Sequence, residues 1–394
     1  MFIVARPPDL FATPPVTERE EEVIQEIESL KERLRLHLNE VHRWIGSLRR
    51  LSFARNIQGS NSIEGYDAAL DDAAAVAVGE EPLDATTETT LALDGYRRAM
   101  TYVLQLADEP GFEYNEQLLK SLHFMMTGYD LKNRPGRWRA GTIYVRNDET
   151  GDIVYDGADI EVVPDLMRKF VDSLNNDPGQ PTIVRAAMAH LNLVMIHPFR
   201  DGNGRMARCL QSLVLAPSGV SSPIFMSVEE YLGRNTTKYY DVLATVGGGR
   251  WQPGRDTRPW LRFMLTAHLR QARTMLIRMR ESERMWVALE HMTSQAGLPE
   301  RTVTALCDAS LGLRIRNATY RANFEQADEE VSDQVAGRDL RQLVDTGFLI
   351  PHGAKRGRHY TASDKVLDVR RKIIASRDPR DDSDPFAIEQ PQPF

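Results

Sequence analysis

Cysteine is scarce in this sequence, with only Cys209 and Cys307 among 394 residues. That scarcity excludes a disulfide framework and a cysteine-based zinc site. Long apolar runs are absent as well: no stretch approaches the roughly 18 residues that suggest a membrane span, so no membrane association is expected. The first fifteen residues contain four prolines and no basic segment followed by an apolar one, so no secretory signal is expected. These absences predict a cytoplasmic protein.

Positive charge is in short supply too. The chain has 49 lysines and arginines against 56 aspartates and glutamates, a formal net charge of −7. This balance argues against non-specific coating of nucleic acid, although it leaves room for one basic face. At roughly 150 residues per domain, the length predicts two to three domains.

Helical periodicity, by contrast, is abundant. Apolar residues spaced alternately by three and four predict a long helix over residues 18–55. Its stripe is formed by Ile24, Ile27, Leu34, Leu38, Val41, Ile45 and Leu48. We expect this stripe to pack against the rest of the chain, because Lys31 interrupts it and it covers barely four heptads. The alternative is a coiled coil in a homodimer.

The remainder of the chain is predicted to be mainly α. Further helices are expected at residues 90–108, 115–127, 164–175, 182–196, 205–216 and 236–245, and from about 259 past 279. One β-hairpin interrupts them, because β-type runs at 142–145 and 153–155 flank Asn147, Asp148 and Gly151. The hairpin would belong to a helical core over residues 91–280, preceded by an N-terminal helical region over residues 1–90.

Residues 281–375 have a different order of elements. Helical segments at 285–296 and 301–306, and a helix from the cap Ser332 to Gly347, precede a second hairpin formed by 348–350 and 359–361. This order resembles a winged helix-turn-helix. The tail over residues 376–394 has four prolines and many charges, so it is expected to be disordered.

Two kinds of partner are compatible with the winged-helix-like domain. Its expected recognition helix carries Arg338 and Arg341 but also Asp333, Asp339 and Asp345, which make a poor face for DNA phosphates. We therefore expect a protein-docking or structural role, with DNA binding as the alternative. The hairpin tip is the more basic part, with Lys355, Arg356, Arg358 and His359.

One segment, residues 197–208 (HPFRDGNGRMAR), joins an apolar helix to the helix that follows it. Glycines at 202 and 204 let backbone N–H groups turn inward at a helix start, where they and the helix dipole favour phosphate oxygens. Arg205 and Arg208 can point over the same anion. This loop is therefore predicted to bind phosphate.

Two further side chains of this segment suit phosphate-transfer chemistry. Asp201 offers a hard oxygen ligand for Mg²⁺ held jointly with phosphates. His197 can accept a proton near neutral pH. Each feature alone also suits an ordinary turn or helix, but their combination within twelve residues favours a reactive site.

Residues 197–208 match the motif HxFx[D/E]GNGRxxR at every defined position. The sequence resembles the Fic family from about residue 51 to 269, including residues 135–139, 238–240 and 258–260. The resemblance implies a Fic catalytic core and the activity of a protein adenylyltransferase, which transfers AMP from ATP to a Tyr, Ser or Thr hydroxyl of a target protein and releases pyrophosphate. It implies ATP as substrate and Mg²⁺ as cofactor, and self-modification is expected.

The resemblance also implies roles for individual residues. His197 would deprotonate the target hydroxyl, and Asp201 would hold Mg²⁺ against the α- and β-phosphates. Arg205 would support the β-phosphate, and Arg208 would bind the γ-phosphate. The complete set of implied nucleotide-binding residues is Gly202, Asn203, Gly204, Arg205, Arg208, Tyr239 and Tyr240. At helical spacing the two tyrosines would equally suit the core.

The resemblance gives the first hairpin a use as a flap over the active site. Its first strand would pair main chain to main chain with the target protein. The docking residues would be Thr142, Ile143 and Tyr144, with Ile143 as a clamp. An ordinary edge hairpin is the alternative.

Residues 60–65 (SNSIEG) have the form [S/T]xxxE[G/N], which in Fic proteins marks an inhibitory helix, here over about residues 58–70. The resemblance implies that Glu64 pairs with Arg208 and hinders the binding of ATP in a reactive position. The alternative is a helix capped by Asn61, with Glu64 completing a capping box. Two other functions stay open: AMP removal at the same site, and a nucleotide-sensing, DNA-binding transcriptional regulator.

Overall fold

The computed structural model describes residues 9–38, 43–106, 109–146, 153–176, 179–216, 225, 227–325 and 330–387. These residues are mainly helical, as predicted, with two small two-stranded antiparallel sheets. Within the same ranges, no helix combines the length and the apolar character that a bilayer crossing requires.

The N-terminal region consists of helices whose apolar faces point into one continuous core. They are α1 (Glu18–Leu38), α2 (Arg43–Ser62), α3 (Leu70–Ala77), α4 (Thr87–Leu106) and α5 (Glu116–Thr127). The helix predicted for residues 18–55 is described over 18–38 and from 43 onward, while 39–42, including Val41 of the predicted stripe, lie outside the described residues. Helical structure continues past residue 55 to Ser62, further than predicted.

The central region supplies the hairpin and the longest helix. Strands β1 (Tyr144–Arg146) and β2 (Ile153–Asp156) pair antiparallel, as predicted. The predicted turn residues Asn147, Asp148 and Gly151 lie outside the described residues. The helices are α6 (Val163–Asn175), α7 (Thr182–Ile196), α8 (Asn203–Leu215), α9 (Glu229–Arg234), α10 (Thr236–Gly247) and α11 (Arg258–Gln295). The short helix α9 was not predicted.

Helix α1 packs along α11 of the same chain, which is the packing expected for its apolar stripe. Its N-terminus is closed by a capping box, in which the Thr17 amide donates to Glu20 and the Glu20 amide donates to the Thr17 hydroxyl. The fully buried Glu20 carboxylate also accepts hydrogen bonds from Arg258 and Arg262 of α11 at 2.9–3.0 Å. A single acidic side chain thus caps one helix and joins it to another.

The C-terminal region continues directly from α11. The domain boundary predicted at residue 281 falls inside this 38-residue helix, which also includes the segment predicted separately at 285–296. Three helices follow, namely α12 (Thr302–Ser310), α13 (Asn317–Glu325) and α14 (Asp333–Asp345), and then the antiparallel strands β3 (Leu349–His352) and β4 (His359–Ala362) and helix α15 (Asp364–Ala375). Ser332 caps α14 as predicted. Helices α13 and α15 were missed, and the winged-helix assignment stays a prediction.

The structure corrects the role of Asp339 on the expected recognition helix. This carboxylate is fully buried, because it accepts two hydrogen bonds from Arg301 and one from the Tyr320 hydroxyl. It therefore does not add negative charge to the exposed face of α14, where Arg338 and Arg341 lie.

The tail predicted to be disordered is docked on the protein over its described residues, up to 387. Arg273 of α11 forms an ion pair with Asp381 at 2.6 Å, and Arg377 forms a bidentate pair with Glu281. The Arg262 guanidinium lies over the Phe386 ring at 5.2 Å. Composition alone missed this docking because the arginines that hold the tail lie about 100 residues earlier in the sequence.

Glu20 provides a test of how α1 is held. Burial would raise its pKa, but the Thr17 amide and the two arginines lower it below the usual value. Because the pKa of Glu20 is lowered on folding, its ionised carboxylate contributes fully to the free energy of unfolding above about pH 5. This contribution is lost as the pH falls. We expect Glu20→Gln to reduce the free energy of unfolding by about 2 kcal/mol at pH 7 and by less at pH 4. Urea denaturation at both values, with the exposed Glu18→Gln as control, measures the difference; equal losses at the two pH values would contradict it.

Candidate active site

The segment 197–208 forms the turn between α7 and α8. His197 ends α7 in the left-handed region, with φ 53°, and Gly202 begins α8 with φ 75°. Between them, the Asn203 side chain closes the loop: its oxygen accepts from the Phe199 amide, and its nitrogen donates to the Phe199 carbonyl, both at 2.9 Å. The amide groups at the start of α8 are thereby held in place. Asn203, expected in the anion hole, uses its side chain to shape the loop.

His197 is held as a neutral base. Its Nδ1 lies 3.1 Å from the Val194 carbonyl oxygen, which can only accept, so Nδ1 carries the proton and Nε2 keeps its lone pair. Burial, together with the nearby Arg139 charge, lowers the pKa of His197 to about 4. The imidazole can therefore accept a proton at Nε2 near neutral pH.

Arg205 and Arg208 lie almost completely buried at the start of α8. Arg205 donates to the Tyr129 hydroxyl at 3.0 Å, and its guanidinium lies 5.1 Å from the centre of the Tyr66 ring. Its Nε and Nη2, and Nη1 of Arg208, have no hydrogen-bond partner among the described residues. Because leaving buried cationic donors unsatisfied is costly, these atoms indicate a site for an anion.

Glu64 extends into this cationic site. Its Oε1 accepts from Arg208 Nη2 at 2.6 Å, which is the pair that the resemblance implied. Arg208 also donates to the hydroxyl and carbonyl oxygens of Ser60. A Cβ added to Gly204 would lie 2.4 Å from the Glu64 Oε1, so the carboxylate sits directly against the start of α8. Burial would raise the pKa of Glu64, but the charges of Arg208 and Arg205 lower it below its usual value and keep the group ionised.

The local structure around Glu64 differs from the predicted short helix over 58–70. Residues 58–62 are the end of α2, and Glu64 lies in the turn that follows. The capping-box alternative is wrong, because Asn61 lies inside α2 and its side chain donates to the Ile57 carbonyl at 2.8 Å. A turn residue can reach across to α8, whereas the next helix, α3, begins only at Leu70.

Asp201 is the candidate ligand for Mg²⁺, and its side chain is 40% exposed. Its Oδ1 accepts from the Gly202 amide at 2.7 Å. Its Oδ2 has only distant neighbours, Asn133 Nδ2 at 3.5 Å and Arg205 Nη2 at 3.6 Å. No cluster of three or more His, Cys, Asp or Glu side chains suited to a metal occurs among the described residues. A single available carboxylate oxygen fits Mg²⁺ that is bound jointly with substrate phosphates and water.

His123 was missed at the sequence level, although it supports the loop from behind. Its Nε2 donates to the Asp201 carbonyl and its Nδ1 accepts from the Gly136 amide, both at 2.9 Å. Its ring stacks on that of Phe199, with centroids 3.7 Å apart. Burial lowers the pKa of His123 to about 4, which keeps the neutral form that both hydrogen bonds require. No spacing in the sequence relates His123 to the loop.

The role of Arg139 was also missed: it joins the first hairpin to the 197–208 loop. It donates through Nε to the His197 carbonyl and through Nη1 to the Gly141 carbonyl, both at 2.8 Å, and through Nη2 to the Ala158 carbonyl. Gly141 precedes β1 and Ala158 follows β2. One guanidinium therefore holds both ends of the hairpin beside His197.

The hairpin has one occupied edge and one open edge. Asp156 of β2 exchanges backbone hydrogen bonds of 3.0 Å with Gly249 and Trp251. Strand β1 pairs with β2 alone in the described part of the chain. Thr142 and Tyr144 are exposed, and Ile143 is partly buried next to Gly157. The expected docking residues thus lie on the open side.

The two tyrosines of α10 occupy different positions. Tyr239 is buried, and its hydroxyl lies 3.0 Å from Nε2 of the buried His190. Tyr239 is therefore a core residue, without the exposure that direct contact with a nucleotide base would need. Tyr240 is 46% exposed, and its hydroxyl donates to the Ile63 carbonyl, next to Glu64.

Comparison with known proteins identifies the domain. Residues 113–215, which include the whole loop, match the model of the Fic/DOC family. These residues form a domain of the Fic/DOC family. Helices α5 to α8 and the flap hairpin form this Fic domain, and the regions before and after it contribute Glu64 and the C-terminal helices.

Proteins similar to this chain include animal proteins that are named protein adenylyltransferases. The "Protein adenylyltransferase Fic" of Culex quinquefasciatus is 30% identical over 238 residues, which span 58% of this chain and 43% of that protein. The "Protein adenylyltransferase fic-1" of Caenorhabditis elegans is 37% identical over 106 residues, 26% of this chain and 18% of that protein. The match thus covers less than half the length of either relative.

Solved structures share the fold. The crystal structure of a Fic family protein from Desulfovibrio desulfuricans G20 matches with a TM-score of 0.56 at 20% identity, covering 89% of this chain and 98% of that chain. Residues 134–508 of Fic-1 from C. elegans match with a TM-score of 0.54 at 22% identity, covering 66% of this chain and 73% of that one. The resemblance to the bacterial protein extends beyond the Fic domain itself.

The protonation state of His197 can be measured directly. We expect the imidazole to stay neutral, with the proton on Nδ1, between pH 5 and 8, because burial lowers its pKa to about 4. Nitrogen chemical shifts in a ¹⁵N-labelled sample report both the charge and the tautomer, and the His197→Ala variant assigns the signal. A His197 ring that titrates between pH 6 and 7 would contradict this assignment.

Proposed function

We propose that this protein is a protein adenylyltransferase, which transfers AMP from ATP to a Tyr, Ser or Thr hydroxyl of a target protein and releases pyrophosphate. The observation that carries the proposal is a group of buried donors of Arg205 and Arg208 that lack a hydrogen-bond partner among the described residues. They lie at the start of α8, in the same loop-to-helix segment as the neutral base His197. The adenylyltransferase names of the relatives support the same activity.

The proposed reaction uses His197 as general base. Nε2 takes the proton of the target hydroxyl while the hydroxyl oxygen attacks the α-phosphorus of ATP. A bond forms between that oxygen and phosphorus, the bond from the α-phosphorus to the oxygen that bridges it to the β-phosphorus breaks, and pyrophosphate leaves with the electron pair. Arg205 and the amide groups at residues 202–204 would stabilise the phosphates. Arg208 would bind the γ-phosphate.

Mg²⁺ would be held by Asp201 together with the phosphates of ATP, where it supplies charge neutralisation. The weakly partnered Oδ2 of Asp201 suits this role. The short hydrogen bond from the Gly202 amide to Oδ1 orients the carboxylate and leaves Oδ2 for the metal.

Glu64 would inhibit the reaction by competition. Its carboxylate is bound to the same Arg208 guanidinium that would bind the γ-phosphate. ATP could still enter, but with its α-phosphate poorly placed for in-line attack. Ser60, near the end of α2, also accepts hydrogen bonds from Arg208. The end of α2 and the turn that follows it would thus form the inhibitory contact together.

The open edge of β1 would receive the target protein. Residues 142–144 would pair through the backbone with an extended segment of the target, and its hydroxyl would then face His197. Arg139 supports this geometry because it fixes the hairpin to the His197 carbonyl.

Removal of the inhibitory carboxylate should activate the enzyme. We expect Glu64→Gly to increase self-modification in the presence of ATP and Mg²⁺, because Arg208 becomes available to the γ-phosphate. Intact-protein mass spectrometry measures the number of AMP groups added. The matched control is Glu81→Gly, an exposed glutamate outside the site, and His197→Ala in the Glu64→Gly background should abolish the gain.

The same experiment separates the alternatives. A mass gain other than that of AMP would show transfer of a different group. Loss of AMP from a modified protein in the wild type alone would instead favour AMP removal with Glu64 activating water. Equal labelling of Glu64→Gly and wild type would exclude the inhibitory role.

Asp201 tests the magnesium assignment. In the Glu64→Gly background, we expect Asp201→Asn to reduce AMP transfer on the order of 10²-fold, because the amide cannot neutralise the metal charge. A shifted dependence on Mg²⁺ concentration distinguishes this loss from a folding defect. The exposed Asp172→Asn on α6 is the control; an unchanged magnesium requirement in Asp201→Asn would reject the assignment.

A further inference from the structure

A second cationic site lies outside the Fic loop, in a cavity of about 250 Å³ between α2, α11 and α15. Part of its wall is apolar, formed by residues such as Leu51, Met285 and Leu311. Its charged wall contains six arginines: Arg55, Arg234, Arg278, Arg370, Arg377 and Arg380.

Among the described residues, Glu281 is the one carboxylate that lines the cavity, and Glu230 pairs with three of its arginines; both are already engaged. Glu281 forms a bidentate pair with Arg377. Glu230, which lies behind the wall, forms a bidentate pair with Arg278 at 2.6 and 2.7 Å and accepts Arg234 at 2.8 Å. The cavity therefore keeps an excess of positive charge.

Arg55 is the residue that this arrangement leaves least compensated. Its side chain is only 13% exposed, and its closest carboxylate contact is Nε to Glu230 at 3.7 Å, too long for a hydrogen bond. Burial and the neighbouring charges of Arg278, Arg234 and Arg370 lower its pKa to about 9. A largely buried guanidinium among other guanidinium groups is costly unless an anion compensates it.

We propose that this cavity binds a small phosphate-bearing anion. Arg55 on α2 and Arg370 on α15 line the same cavity and can direct donors at one multiply charged group. Arg278 on α11 adds positive charge, although both of its Nη atoms donate to Glu230. Arginine is suited to this task because its fork matches phosphate oxygens in bidentate fashion. The apolar residues on the wall would accommodate a carbon-containing portion of the anion.

The cavity is distinct from the site of the proposed reaction, so the inference does not depend on that function. Arg55 and Ser60 lie on the same helix, five residues apart, which is about 7.5 Å along its axis. Ser60 contacts Arg208, whereas Arg55 faces the C-terminal helices. Loss of anion binding at Arg55 can thus be measured without assaying AMP transfer.

The test uses the full chain and inorganic pyrophosphate as the probe. Isothermal titration calorimetry gives the affinity, and thermal unfolding gives Tm with pyrophosphate or with sodium chloride at matched ionic strength. We expect pyrophosphate to bind the wild type and raise its Tm more than chloride does. Arg55→Gln should weaken this binding by about tenfold or more, which corresponds to about 1.4 kcal/mol.

The Tm of Arg55→Gln, measured without pyrophosphate, distinguishes a role of Arg55 in anion binding from a role as the ion-pair partner of Glu230. Because one of several repelling charges is removed, we expect its Tm to equal or exceed that of the wild type. Arg370→Gln, on α15, should weaken pyrophosphate binding as well and provides a second variant if the first is poorly folded. Arg49→Gln, exposed on α2, should leave the affinity unchanged.

Three results would overturn the proposal. One is a wild type that responds to pyrophosphate no more than to chloride. Another is unchanged pyrophosphate affinity in both Arg55→Gln and Arg370→Gln, which would place any binding at the Fic loop instead. The third is a lowered Tm of Arg55→Gln without pyrophosphate together with unchanged affinity, which would make Arg55 a structural partner of Glu230. A parallel titration with orthophosphate reports whether one phosphate group suffices.

Discussion

The burial of two guanidinium groups at the start of α8 is the constraint on which the rest of the structure depends. Arg205 and Arg208 are almost inaccessible to water, so that the protein must supply their partners. Those partners come from three places: Ser60 at the end of α2, Glu64 in the turn after it, and Tyr129 beyond α5. Compensation of these two charges therefore ties the N-terminal region to the Fic domain.

The compensation is incomplete, and this gives the site its chemical character. Within the described ranges, three donor atoms of the two arginines have no hydrogen-bond partner, although they are buried. The Glu64 carboxylate binds Arg208 Nη2, whereas Arg208 Nη1 and two nitrogens of Arg205 have no hydrogen-bond partner in the described part of the chain. An internal carboxylate and a substrate phosphate would thus use the same physical attraction, which is why the two can compete.

The loop itself is held from outside the motif. His123 fixes the Asp201 carbonyl from α5, and Arg139 fixes the His197 carbonyl from the base of the hairpin. Both are buried polar side chains whose hydrogen bonds end on backbone atoms. They position the loop without offering a reactive group, and for that reason a search for reactive residue types does not find them.

Long-range ionic contacts also organise the C-terminal region. Glu230 forms ion pairs with Arg234 of α9 and Arg278 of α11. Asp339 pairs with Arg301, and Asp381 of the tail pairs with Arg273. The formal net charge of −7 does not predict these contacts, because it is a sum over the whole chain and does not show where charges of one sign cluster. The arginines of the cavity and those of the Fic loop are both local excesses within an acidic protein.

The sequence by itself determined the mainly helical fold, the bounds of α7, the flap hairpin and the motif loop, because each depends on local periodicity or on a turn of a few residues. The pair of Glu64 with Arg208 was expected from the family resemblance, since 144 residues separate the partners. Tertiary structure alone decided that Glu64 lies in a turn, that Tyr239 and Asp339 are buried, that α11 runs through the predicted domain boundary, and that the described part of the tail is docked. It also decided the positions of His123 and Arg139. All of these depend on contacts between distant segments, for which the local pattern of residues carries no signal.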